Sequence, residues 1–166
     1  MGEMMDGTMS PPLVLDLLRH GQALPGSATG DHGRPLAPQG RLVLERLGDR
    51  LARDGSRHDR VLASPLVRAA ESAAAVLGAF ARHPAVETLD ALAPEATPAR
   101  LLEALRELGV TRGHALLVGH QPLLGQLALL LAGVETPFAP GTLVRIECPE
   151  GPVPGAGRIL LALHPG

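Results

Sequence analysis

The chain has 166 residues, 45% of them apolar, and 17 acids against 15 cations give a formal net charge of −2, which is the balance of one ordinary globular domain with a single sizeable core. Every cation is an arginine, and two Phe stand without any Tyr or Trp, so the chain lacks both the positive excess and the stacking rings of a nucleic-acid binder. Cys148 is the only cysteine; no internal disulfide can form, and a reducing, cytoplasmic setting is expected.

Residues 1–12 (MGEMMDGTMSPP) have neither the basic start nor the apolar stretch of a signal peptide and are expected to be a flexible extension, with one domain over 13–166. Leu13 to Leu18 (LVLDLL) is an almost uninterrupted apolar run, the pattern of a strand buried on both faces of a parallel sheet. It stops at Arg19-His20-Gly21, where Gly21 is expected to let the backbone turn sharply and leave room for a ligand. Gln22 to Pro38 is polar, Gly-rich and without periodicity, a loop close enough to His20 to line a site. A helix follows from Gln39 or Gly40 to near Gly55, with Leu42, Val43, Leu44, Leu47 and Leu51 at helical spacing and Arg46, Arg50 and Arg53 among acids on the other face.

Arg60 to Ala63 predicts a second strand, and the helix after it carries Leu66, Val67, Ala70, Ala73, Val76, Leu77 and Phe80, with Ser64 suited to its cap and Pro65 to its first turn. Val86 to Leu89 predicts a third strand and Ala93 to Pro98 a loop. Thr97 then caps a helix striped by Leu101, Leu102, Leu105 and Leu108 that stops at Gly109. Ala115 to Val118 is the next strand, ending at Gly119-His120-Gln121-Pro122. The helix from Leu123 to Leu131 is apolar enough for the core or for a dimer contact, and far short of the ~20 residues a bilayer requires, so no membrane is expected as a partner. Leu143 to Glu147 and Arg158 to Leu163 close the series. Strands alternating with helices predict an α/β three-layer sandwich, a mainly parallel central sheet flanked by helices.

Parallel strands present their carboxyl ends along one edge, where open α/β sheets bind ligands. Arg19 and His20 follow the first strand, Arg68 lies one helical turn beyond the second, and His120 follows the fourth. Two imidazoles and two guanidiniums in one crevice suit a phosphoryl group: arginine grips its oxygens with a planar fork, and a neutral imidazole can attack phosphorus. Such a ring must expose one nitrogen while the other donates to a fixed acceptor, often a backbone carbonyl. Nearby cations favour the neutral ring. Zinc between His20 and His120 would want carboxylate or thiolate partners rather than arginines, so no metal and no cofactor are expected. His32, His58, His83, His114 and His164 read as ordinary surface residues. Cys148 reads as an inert thiol, since Pro154 stands where a cysteine-phosphatase loop needs an arginine.

Three segments, Leu18-Arg19-His20-Gly21, Ser64-Pro65-Leu66-Val67-Arg68-Ala69 and Val118-Gly119-His120-Gln121-Pro122, together resemble the histidine phosphatase superfamily, which includes the phosphoglycerate mutases and acid phosphatases. The short length and Arg34-Pro35-Leu36 followed by Gly40 look most like its SixA branch of protein phosphohistidine phosphatases, and the likeness runs from about Leu13 to the carboxyl terminus. The resemblance implies a phosphoglycerate mutase-like fold and a covalent phosphohistidine on His20, with Arg19, Arg68 and His120 as the phosphate pocket. Gln22 could donate to phosphate or merely turn the loop; Ser64 could serve substrate or only cap its helix. The implied partners are a phosphorylated protein, such as a histidine phosphotransfer domain, or a small phosphorylated substrate. A small-molecule phosphomonoesterase is the alternative, and a phosphate-binding module without turnover ranks third.

Two departures stand out against those relatives. Glu71-Ser72 occupies the place of a common Gln-Thr pair, and no acid stands where many ester-cleaving relatives keep a proton donor. Glu95 is the best remaining candidate for that donor, against a plainer reading as a solvated loop carboxylate. An alkoxide leaving group needs such an acid, whereas the imidazole released from a P–N bond leaves well once protonated by water or buffer.

Overall fold

In the computed structural model, which describes residues 11–26 and 30–165, the strands are β1 (Leu13–Arg19), β2 (Arg60–Ala63), β3 (Val86–Thr88), β4 (Gly113–Gly119), β5 (Leu143–Cys148) and β6 (Arg158–Leu163). They form one sheet in the order β3-β2-β4-β1-β5-β6. The first four run parallel, β5 pairs antiparallel with β1, and β6 antiparallel with β5. Of the extension expected at 1–12, all but Pro11 and Pro12 lie outside the described residues.

Helices α1 (Pro38–Arg53) and α2 (Val67–Leu77) cover one face, setting Leu44, Leu47, Leu51, Ala73 and Val76 against Leu18, Val61, Leu116 and Val118. On the other face, α3 (Pro98–Glu107) and α4 (Leu123–Ala132) set Leu101, Leu105, Leu123, Leu127 and Leu131 against Leu13, Leu15, Leu17 and Leu117. The result is the three-layer sandwich with a mainly parallel sheet that the alternating periodicities indicate. Thr97 Oγ1 accepts from Arg100 N at the start of α3, and Gly133 closes α4 at φ 70°, as their sequence positions require. The apolar α4 puts Leu123, Leu124, Leu127, Ala128 and Leu131 into the core, leaving Leu129 on its outer face 44% exposed. No helix among the described residues is long and apolar enough to cross a membrane.

The centre of β1 departs from the sequence expectation. Asp16 is wholly buried under α1 and α2 on the face that Leu18 shares, and a carboxylate there must be paired. Arg145, its partner across β5, donates from Nε to Oδ1 at 2.7 Å and from Nη2 to Oδ2 at 3.0 Å. The Nε2 atoms of His58 and His114 each lie 2.8 Å from Oδ2. Burial alone would push the Asp16 carboxyl up, but the hydrogen bonds from His114, His58 and Arg145 outweigh it and hold the group well below the usual carboxylate range. His58 and His114 are therefore not surface residues: the His58 side chain is 1% exposed, and both rings are drawn in to compensate a buried charge.

Candidate active site

Sheet register brings the site together. Leu18 and Arg19 of β1 stand opposite Val118 and Gly119 of β4, and Ala63 of β2 stands opposite Val118 from the other side. The ladder continues one residue further, His20 N donating to Gly119 O at 3.1 Å and Ser64 N to Val118 O at 3.0 Å. His20, Ser64 and His120 thus leave three adjacent strands at the same level, as close as neighbouring strands are. The centroids of the His20 and His120 rings are 4.9 Å apart.

Each ring is held by one nitrogen. His20 Nδ1 lies 2.7 Å from its neighbour's carbonyl, Gly21 O. A carbonyl only accepts, so the proton sits on Nδ1 and Nε2 keeps a lone pair. Arg68 Nε donates to that lone pair at 3.3 Å. His120 Nε2 is 2.8 Å from Ser64 Oγ, which also accepts from Leu66 N at 3.2 Å. Helix α2 starts at Val67 with Leu66 as its cap, so Ser64 is not the cap its position suggests; it ties the α2 entry to His120 instead. With the serine hydroxyl donating to Nε2, the His120 proton sits on Nδ1.

Among the described residues, two side-chain polar atoms are buried without a partner, Arg19 Nε and His120 Nδ1. Both belong to residues lining a cleft of about 290 Å³, together with His20, Gln22, Ala23, Arg34, Arg68, Pro94, Gln121 and Pro140. Buried donors left open in this way mark a place for an acceptor. Arg19 is steered by its Nη1 bond to Phe138 O at 2.8 Å. Burial is the main force lowering the basicity of both rings, with Arg68 and Arg19 adding to it: His20 is pushed down to about 4 and His120 to about 3. Both imidazoles are neutral at pH 7, in a cleft whose fixed charge is positive.

The support around His20 comes from α1 and α2. Gly21 N donates to Ser72 Oγ at 2.9 Å, Ser72 Oγ donates to Arg68 O at 2.6 Å, and Leu36 N donates to Glu71 Oε1 at 2.7 Å. The Glu71-Ser72 pair therefore fastens the His20 turn and the returning loop to α2. Gly21 does not have the left-handed backbone expected of a sharp turn. Its missing side chain is a packing matter, since a Cβ would lie 2.8 Å from Leu44 Cδ1 and 3.1 Å from Gly40 O, while a Cβ on Gly40 would collide with Gln22 O. The first turn of α1 can lie against the His20 turn only because both positions are glycine.

Of the residues singled out in the sequence, Arg19, His20, Gln22, Arg68 and His120 line the cleft, and Ser64 stands behind His120. Glu95 is exposed and does not line it, although its neighbour Pro94 does. Sequence reading missed Arg34 as a cleft residue and missed Asp31, whose carboxylate bonds to both Arg34 and Arg68. Ser72 could have been found, since i+4 spacing from Arg68 puts both on one face of α2. Cys148 is buried, and burial pushes its thiol up to about 11, in line with an inert residue.

Asp16, His58 and His114 are the one group among the described residues whose possible ligand atoms lie within 4.8 Å of one another. Asp16 already accepts two bonds from the permanently charged Arg145. A metal ion would face that guanidinium across a single carboxylate, so the donor set fits a structural ion pair and not a cation site.

The sequence model described as the histidine phosphatase superfamily (branch 1) matches residues 15–93. An uncharacterized protein of Picosynechococcus sp. is 32% identical over 126 residues, 75% of this chain and 76% of that one. The solved structure of the protein histidine phosphatase SixA complexed with tungstate superposes with a TM-score of 0.81 at 25% identity, covering 92% of this chain and 97% of that one. A mycobacterial glucosyl-3-phosphoglycerate phosphatase shares the fold, with a TM-score of 0.67, 15% identity and coverage of 89% and 97%.

Proposed function

Because this chain belongs to the histidine phosphatase superfamily, we propose that it is a phosphatase that takes a phosphoryl group onto His20 and passes it to water, with a phosphohistidine on another protein as its substrate. The observation that carries this reading is the His20 ring itself: Nδ1 is spent on Gly21 O, and Nε2 keeps its lone pair beside Arg68.

The phosphoryl oxygens enter among Arg19, Arg68 and the free Nδ1–H of His120, and Gln22 offers a further donor at the exposed edge. Arg68 Nε then gives its hydrogen bond to an oxygen and frees the Nε2 lone pair. As Nε2 bonds to phosphorus, the bond to the substrate nitrogen breaks and the departing imidazole takes a proton from solvent. Water next attacks the phosphohistidine, losing a proton to solvent, and the P–N bond electrons return to Nε2 as inorganic phosphate leaves. Donors already aimed at the developing charge supply most of the acceleration.

The charge of the cleft supports this substrate class. No carboxylate among the described residues lines the cleft, and Asp31 at its rim is held ionised by hydrogen bonds from Arg34 and Arg68. A phosphoester must expel an alkoxide, for which a positioned acid is worth roughly 10²–10⁴ in rate. The imidazole of a phosphohistidine needs no such acid. A small-molecule phosphomonoesterase is the second reading, favoured by the fold shared with glucosyl-3-phosphoglycerate phosphatase. The test offers the purified protein a ³²P-labelled histidine phosphotransfer domain and, separately, sugar and nucleotide phosphates. The expected result is fastest turnover of the protein substrate and an acid-labile label on His20 that His20→Ala abolishes. Faster turnover of the small esters moves the assignment to the second reading; no label and no turnover on either leaves only phosphate binding.

A further inference from the structure

Asp31 takes no part in the steps above, yet it holds the residue that faces the proposed nucleophile. Its backbone oxygen accepts from Arg68 Nη1 at 2.8 Å, its Oδ2 from Arg68 Nη2 at 3.2 Å and its Oδ1 from Arg34 Nη1 at 3.1 Å. Arg34 is held in turn by its Nε bond to Leu24 O at 2.8 Å. A guanidinium is a rigid planar fork, so fixing its two terminal nitrogens fixes the direction of the third. That third nitrogen, Arg68 Nε, is the one 3.3 Å from His20 Nε2.

We propose that Asp31 is a positioning residue: its carboxylate turns the Arg68 guanidinium so that Nε meets the incoming phosphoryl group at His20 Nε2. The inference rests on the reading of His20 as the phosphoryl acceptor. When the group arrives, its oxygens take the Nε–H that His20 now accepts, and Asp31 keeps the far edge of the fork from swinging away. The Asp31 side chain is 55% exposed while that of Arg68 is 8% exposed. A surface carboxylate in this place adds little to folding, but it aims a buried cation. It does not act as the missing proton donor, because its two arginine partners hold it ionised.

Asp31→Ala removes both carboxylate bonds and leaves the backbone bond to Nη1, so Arg68 is loosened rather than lost. In rapid-quench labelling with a phosphorylated histidine phosphotransfer domain, transfer to His20 should slow about tenfold while KM changes less than about threefold, the mark of a lost alignment. Asp31→Asn keeps one acceptor oxygen in place and should recover most of the rate. Both variants should melt within about 2 °C of wild type, because the side chain is solvated. An Asp31→Ala protein as fast as wild type or faster, or an Asn variant no better than the Ala variant, overturns the positioning role while a labelled wild type leaves the His20 reading intact. A wild type that never carries the label brings down both.

Discussion

Replacing Asp16 by alanine separates what holds the sheet from what the cleft does. The substitution leaves the buried His58 Nε2 without its carboxylate and Arg145, 17% exposed, with only Ser56 Oγ at 3.0 Å in place of its counter-charge. Breaking a buried pair by removing one partner costs about 3–5 kcal/mol, a fifth or more of the roughly 5–15 kcal/mol that holds a domain folded. For a chain of this size that lowers the melting temperature by roughly 10–15 °C. Asp16 sits four residues before His20, about 13 Å down the strand at the usual rise, so turnover at 15 °C should stay within about threefold of wild type. The assays are urea unfolding followed by circular dichroism, and single-turnover labelling of His20. The proton linkage gives a second signature. The Asp16 carboxyl is lowered from 3.8, so its stabilisation is complete above that pH and is lost as the solution is acidified below it. Acid unfolding below pH 4 should therefore be blunted in the alanine variant. A loss under about 1 kcal/mol, or a fall in turnover matching the fall in stability at 15 °C, would refute the separation.

Ser64→Ala removes the hydroxyl that fixes the His120 tautomer and leaves Leu66 N bare; the expected cost is about tenfold in the rate of His20 labelling, equal to about 1.4 kcal/mol, and substrate analogues should show it as kcat loss with KM nearly unchanged. Stability should also depend on pH through the two cleft rings. Both are pushed below their ordinary 6.5, to about 4 and about 3, so the unfolded chain binds more protons once the pH drops under 6.5, and stability falls from there toward pH 4 by about 2 kcal/mol per ring at pH 5. Urea midpoints at pH 7 and pH 5 measure it, His20→Gln with His120→Gln should flatten the slope, and an already flat wild-type profile contradicts neutral burial of the rings.

The parts of this fold legible in the sequence are those written in local periodicity. LVLDLL, RVLA and ALLV announce buried strands, and polar residues follow each within two positions, at the sheet edge where open α/β sheets bind ligands. Once the strands are parallel and adjacent, the level placement of His20, Ser64 and His120 follows from register alone. What stayed hidden depends on contacts between distant segments. Asp16 stands only as an interruption of an apolar run, because its compensation comes from positions 58, 114 and 145, none of which carries a local mark of burial. In the sequence Gly21 reads as a sharp turn with room for a ligand, whereas its role is to admit Leu44, a fact of α1 packing. Asp31 lies in a stretch with no periodicity, and it reaches Arg68 only because the loop folds back through the Ala23–Leu36 bridge.

The charge arrangement of the cleft answers two demands with the same groups. A nucleophilic imidazole must be unprotonated at neutral pH, and a phosphoryl dianion must be attracted to it. Burial and the neighbouring Arg68, Arg19 and Arg34 keep the His20 ring neutral, while on the proposed reading those cations, offset among the described residues by the carboxylate of Asp31, attract the dianion. Asp31, the carboxylate bonded to Arg34 and Arg68, is held ionised by them and so has no proton to give a leaving group. On the proposed reading the leaving group collects its proton from solvent. That charge arrangement, more than the volume of the cleft, is the ground on which a P–N bond is proposed as the substrate over a phosphoester.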